Sequence, residues 1–227
     1  MKADQRMNSL KMIGAALLAL SLTACANMDG HYRSDQYSAA SAQEAPDALT
    51  RRFTEEFFDT IKSSRNMPAN ASMSRLFALI EKTVVPYFDF ERMASLAVDR
   101  FWSQATPEQK KELTTEVRKR VISMYSIVLM YAQGSAQVDD QKIEYKTLRA
   151  DPAGTKVEVR LQNIPSNGDP SYPRYYLEKL PSGWKIVDVN PVGTNWLAGE
   201  DYRNDFGEQI TKVGIDGLIK SLSSESK

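Results

Sequence analysis

The 227-residue chain holds one cysteine and one histidine. Cys25 alone cannot form an internal disulfide, and His31 alone cannot supply the paired imidazoles of most zinc sites. A histidine-assisted nucleophile is disfavoured for the same reason, since His31 lies in a polar stretch with no apolar periodicity. An excess of one charge is also lacking, as 29 basic residues balance 29 acidic ones. A domain built to hold a polyanion normally carries a basic excess, so nucleic acid is set aside as a partner. There is no Gly-rich loop after a strand pattern, no Gly-Lys-Ser/Thr element, no metal-ligand spacing and no internal repeat. No metal or cofactor is expected. At 42% hydrophobic residues the chain can bury one sizeable core, and a single globular domain is the default.

The longest apolar run, Met12 to Leu22, is too short to span a bilayer as a helix. Preceded by Lys2, Arg6 and Lys11, it suits the core of a secretion signal. It ends in Leu22-Thr23-Ala24-Cys25, which resembles the lipobox of bacterial lipoproteins, where the chain is cut before a cysteine that then carries lipid. An ordinary signal peptide cut nearby, with Cys25 incidental, is the alternative. Removing residues 1–24 takes three basic side chains but only Asp4, leaving a mildly acidic chain. Acylated at Cys25, the protein would be anchored without a transmembrane helix. Ala26 after the cysteine, instead of aspartate, points by that resemblance to the outer membrane. Residues 25–46 then form a lipid-anchored tether, rich in serine, glutamine and alanine, with a stretched reach on the order of 70 Å.

From Asp47 the pattern turns helical. Leu49, Phe53, Phe57 and Ile61 recur every four residues, and Asn66 to Asn70 end the run. A second helix is expected over Ser72–Thr83, burying Leu76, Leu79 and Ile80, and a third begins at Asp89, whose side chain can cap it. Thr106-Pro107-Glu108-Gln109 combines a threonine cap, a first-turn proline and a glutamine able to reach back. The helix it starts carries an apolar stripe of Leu113, Val117, Val121, Met124, Tyr125, Val128 and Ala132, and Gly134 is placed to end it. Ile127, Leu129, Met130 and Tyr131 make its last turns apolar on several sides, so that end is expected to be buried or to line something apolar.

The period then changes to two: Ile143, Tyr145 and Thr147; Val157, Val159 and Leu161; Tyr175 and Leu177; Val187 and Val189. Asp151 to Gly154, Pro165 to Pro170 and Pro181-Ser182-Gly183 supply the turns. Four strands in sequence, with helices before and after, predict an α+β fold: helices packed on a curved four-stranded antiparallel sheet. Helices over Tyr202–Lys212 and Ile215–Leu222 would cover the sheet.

Glu55-Glu56 and Asp139-Asp140 are sequence neighbours on polar segments, which are usually solvated charge. A pocket enzyme with desolvated Asp89 or Asp188 as general base stays open, although Asp89 is more simply a cap and Asp188 lies on the strand face opposite Val187 and Val189. The chain is expected not to be an enzyme. Apolar side chains in excess of obvious chemistry include Tyr87, Phe88, Phe90, Met93, Phe101, Trp102, Trp184 and Trp196; either a plain core or a cavity for an apolar ligand accounts for them.

Val85-Pro86-Tyr87-Phe88-Asp89-Phe90-Glu91-Arg92-Met93-Ala94, then Trp102 and Ala105-Thr106-Pro107-Glu108-Gln109, resemble the MlaC, or toluene-tolerance, family. Trp184 to Val189, Gly193, Tyr202 to Phe206 and Gly214 to Ile219 continue the resemblance in order, over residues 47–222, leaving 223–227 as a tail. It implies a periplasmic phospholipid carrier that holds acyl chains in an apolar pocket between helices and sheet, acting as an auxiliary component of an ABC transporter. The implied partners are an outer-membrane lipoprotein–porin complex and an inner-membrane ABC transporter with an MCE subunit, together maintaining outer-membrane lipid asymmetry. A monomer is expected. A hopanoid-like cargo and a tethered interaction domain with a filled core are the alternatives. The lipobox departs from the freely shuttling habit of the family, Asp99 stands where glycine is expected, Asn190-Pro191-Val192 replaces a segment with glutamate, and the interval from Gly193 to Tyr202 is longer. From strand alternation and the helix stripe, the acyl-chain wall is expected at Val121, Tyr125, Val128, Leu129, Val157, Val159, Leu161, Tyr175, Leu177, Val187, Val189, Trp196 and Leu197. Headgroup recognition is expected to be loose, since no arginine cluster marks a phosphate site.

Overall fold

A computed structural model describes residues 44–65, 73–133, 142–164, 170–190 and 200–225. The signal and tether residues with Cys25, the expected helix stop at Gly134, and Trp196 and Leu197 lie outside the described residues.

Helix α1 spans Pro46–Ser64, opened by its first-turn proline and with Asp47 at the positive end of its dipole. It buries Leu49, Phe53, Phe57 and Ile61 as the four-residue spacing predicts. Thr50, Thr54 and Thr60 are buried too, because each hydroxyl donates to the carbonyl one turn back, at 2.7, 2.8 and 2.8 Å. Helix α2 spans Met73–Val84, and a 3₁₀ turn over Val85–Tyr87 leads to α3, Phe90–Val98. Asp89 caps α3, accepting from the Arg92 N–H at 2.8 Å. A second 3₁₀ turn, Asp99–Gln104, precedes α4, Pro107–Gln133. There the capping box closes in both directions: Gln109 N–H donates to the Thr106 hydroxyl oxygen at 3.2 Å, and Thr106 N–H donates to Gln109 Oε1 at 3.0 Å.

Strands β1 (Lys142–Ala150), β2 (Lys156–Ile164), β3 (Arg174–Leu180) and β4 (Gly183–Asn190) form an antiparallel meander in that order. Asp151 builds the β1–β2 turn, accepting from the N–H groups of Thr155 and Lys156 at 2.6 and 2.7 Å, and Gly154 takes the positive φ of 65° the turn needs. Helix α5, Glu200–Glu225, is broken at Gly214 (φ 75°, ψ 175°), between the two helices expected there. Five α-helices on an open four-stranded sheet, among the described residues, make the α+β fold that the order of elements predicts.

Two expectations are corrected. Strand alternation places Val187 and Val189 on one face with Asp188 on the other. A register shift between Tyr176 and Leu177 instead pairs Leu177 with Ile186 and Tyr176 with Asp188, leaving Val187 as the extra residue of a bulge. Ile186 therefore joins the core, while Val187 lies with Asp188 and Tyr176 on the sheet's outer side. Val128, expected in the buried stripe, is 41% exposed. The last turns of α4 bury Val121, Ile122, Tyr125, Ser126 and Leu129. At about 100° per residue these five span an arc of roughly 140° that begins at Val121, and Val128 falls just outside its edge.

Asp99 has φ 47° and ψ −120°, where glycine is the default residue, and its N–H donates to Ser95 O to close α3. Asp99→Gly is expected to raise stability by about 1 kcal/mol, read as a higher urea midpoint, with no such gain for Asp99→Ala.

Candidate functional site

The inner face of the sheet is apolar because alternate residues share it. Val157 pairs with Leu177, Val159 with Tyr175, and Tyr175 with Val189. All are buried, and Val121, Tyr125 and Leu129 of α4 belong to the same cluster. Of the thirteen wall residues expected, nine therefore meet in one helix–sheet interior: Val121, Tyr125, Leu129, Val157, Val159, Leu161, Tyr175, Leu177 and Val189. Val128 and Val187 do not join them, for the reasons given above.

Strand alternation and the α4 stripe missed the aromatic side chains that α1 and the chain before α3 contribute. Phe53 meets Tyr125 at 5.6 Å and 90° and Tyr175 at 5.8 Å and 73° between rings. Phe57 meets Tyr125 at 5.0 Å, and Phe88 meets it at 5.8 Å, both edge to face. The four-residue step from Phe53 to Phe57, which puts both rings on one helix face, was the available signal.

Hydroxyls cross this apolar interior in pairs. The Tyr125 and Tyr175 hydroxyls hydrogen-bond each other, and burial, the leading cause, pushes Tyr125 well up and Tyr175 up to about 12. Tyr145 donates to the Thr54 hydroxyl oxygen, whose own proton goes to Thr50 O. Among the described residues no cluster of three or more His, Cys, Asp or Glu side chains is disposed to hold a metal ion.

The outer side of the sheet is chemically different. A groove of ≈ 530 Å³ there is lined by Leu96, Lys156, Tyr176, Glu178, Val187, Asp188 and others. Its charged groups are matched to each other: Arg92 grips Glu178 through two bonds of 2.6 and 3.0 Å, and Lys156 stands 3.6 Å from the same carboxylate. For Glu178 burial, the largest single influence, raises the pKa, but Arg92 and Lys156 outweigh it and hold the carboxyl below its usual range. Asp188 accepts from the Val189 N–H at 2.9 Å. Lys185 is lowered chiefly by burial, with Asp89 opposing, and donates to Pro86 O at 2.7 Å.

The described residues thus form an α+β protein with one continuous apolar interior between helices and sheet. The family described as MlaC protein matches this chain over residues 51–224, and the chain belongs to it. A solved structure similar to it is that of a phospholipid-binding protein from Ralstonia solanacearum in complex with a phospholipid, at 33% identity and a TM-score of 0.66, covering 81% of this chain and 97% of that one. No curated protein matches the chain.

The buried tyrosine pair sets an alkaline limit. An unfolded tyrosine releases its proton near pH 10, whereas folded Tyr175 keeps its own to about 12. The stability this contributes is complete below pH 10 and drains away as pH rises toward 12. Tyrosinate absorbance from the pair is expected to rise only together with cooperative loss of circular dichroism. Tyr175→Phe is expected to cost roughly 1–2 kcal/mol at neutral pH by leaving the Tyr125 hydroxyl without its partner.

Proposed function

We propose that the chain is a phospholipid carrier of the cell envelope, taking acyl chains into the helix–sheet interior and exchanging lipid between outer-membrane and inner-membrane partners. The observation that carries it is the shared apolar wall of α4, β2, β3 and β4, in a fold like that of a relative solved with phospholipid. Such a wall is a solvent for lipid tails comparable to a bilayer, whereas crossing water exposes CH₂ groups at about 0.8 kcal/mol each. A C16 chain would thereby face a barrier on the order of 12 kcal/mol, which the protein removes. Direction comes from elsewhere, because a carrier alone equilibrates its two ends. Unequal docking affinities, or nucleotide hydrolysis in an ABC transporter with an MCE subunit, would supply it, and an outer-membrane lipoprotein–porin complex would stand at the other end.

The reading is one of binding without catalysis, as a monomer. In its support, Asp89 is engaged as a helix cap and Asp188 accepts a backbone N–H. The periplasm is the proposed location, with Cys25 lipidated and the residues before Glu44 as the tether; the last residues of the expected tether belong to the fold, Glu44 pairing with Arg52 and Pro46 opening α1. Among the described residues no helix is long and apolar enough to cross a membrane.

Native mass spectrometry with lipid extraction, on residues 26–227 so that no anchor is counted as cargo, is expected to show stoichiometric phospholipid. A lipid-free protein that also takes up no lipid from vesicles would sink the carrier reading. For the anchor, Cys25→Ser in the full chain is expected to move the protein from the membrane pellet to the soluble envelope fraction. Unchanged sedimentation would remove lipidation from the account.

A further inference from the structure

From Val121 to Gln133, α4 carries no charged side chain. Val121, Tyr125 and Leu129 point into the interior, but Ile127, Val128, Met130 and Tyr131 are 50%, 41%, 47% and 82% exposed. Spaced i, i+1, i+3 and i+4, they form one contiguous patch on the helix end, unlike singly scattered surface residues.

We propose that this end of α4 is a docking tip for an anionic bilayer, seating in the interface while the basic side chains behind it meet lipid phosphates. The choice of a bilayer as occupant rests on the carrier reading, and two observations favour it. The first is charge. Arg118, Lys119 and Arg120 precede Ile127, the first residue of the tip, by about two to two and a half turns on α4. Helix α2 runs antiparallel alongside, as the Arg118–Glu81 contact and the groove shared by Phe77, Ile122 and Ser123 show, and it adds Arg75 and Lys82. Glu81 pairs with Arg118 and Glu116 with Lys119, while Arg75 and Lys82 stand exposed on α2, in a chain whose total charge is balanced. From Arg120 to Ile127 the helix rises about 10 Å, comparable to the depth at which an interfacial apolar face sits below basic residues at the headgroups. A tyrosine at the rim suits the same zone.

The second is continuity. Leu129 and Tyr125 line the interior on the same turns whose other side carries Ile127, Val128 and Met130. A lipid tail leaving a bilayer at the tip would meet the inner wall without crossing bulk water.

The test is vesicle flotation of residues 26–227, which keep every described residue. Vesicles of phosphatidylethanolamine with phosphatidylglycerol are compared with phosphatidylcholine alone. The wild type is expected to float with the anionic vesicles, less so at high salt. The combined variant Ile127→Ser, Val128→Ser, Met130→Ser, Tyr131→Ser is expected to lose about tenfold or more in vesicle affinity, with unchanged circular dichroism, since none of the four is a core residue. Arg75→Glu with Lys82→Glu, both exposed, is expected to weaken binding to anionic vesicles only. Equal flotation of the wild type and the serine variant, or none by the wild type, would overturn the proposal. So would a concentration-dependent dimer that the serine variant abolishes, which would give the patch to a second copy. Lipid content by mass spectrometry separates the two readings. A lipid-loaded protein that does not float ends the docking proposal alone, and one that floats but never holds lipid ends the carrier reading alone.

Discussion

The ring of Phe53 is wholly buried and meets Tyr87, Phe88, Tyr125 and Tyr175 at centroid distances of 5.1 to 5.8 Å. Through that one side chain α1, the 3₁₀ turn before α3, helix α4 and strand β3 are held against a common centre. An open antiparallel sheet with one apolar face cannot persist in water unless something covers it. Here the cover is aromatic, and edge-to-face rings fill the space between helices of unequal tilt better than aliphatic groups. The interior that the proposed cargo would use is thus also what keeps helices and sheet together.

The two faces of the sheet divide the work. On the inner side the polar atoms near the wall are hydroxyls paired with one another, Tyr125 with Tyr175 and Tyr145 with Thr54. On the outer side Glu158, Glu178 and Asp188 meet cations or backbone donors. The Arg92–Glu178 bridge ties α3 to β3 across 86 residues of sequence. Keeping ionised groups off the inner face matters for the proposed carrier, because a carboxylate without a cation there would cost several kcal/mol beside a hydrocarbon tail.

Much of this was legible along the chain. The Thr106–Gln109 box, the Asp89 cap, the turn at Asp151 to Gly154 and the break at Gly214 are local devices, whose partners lie within a few residues and so show in the sequence. Alternation in β2 and β3 likewise located Val157, Val159, Leu161, Tyr175 and Leu177 on the inner wall. Alternation failed in β4, where the bulge exchanges Val187 for Ile186, and a bulge is set by the register with β3. It failed again at Val128, because which side of a long helix is covered depends on where α1 and the sheet lie against it.

The order of elements, the α+β class, the local caps and an apolar surplus were determined by the sequence, since each follows from residue type and short-range spacing. The tertiary structure alone decided that Phe53 would become the hub, that two tyrosine hydroxyls on α4 and β3 would satisfy each other, and that the end of α4 would keep apolar side chains in water. Those outcomes depend on distances between segments far apart in the chain. No period or propensity within a single segment encodes them.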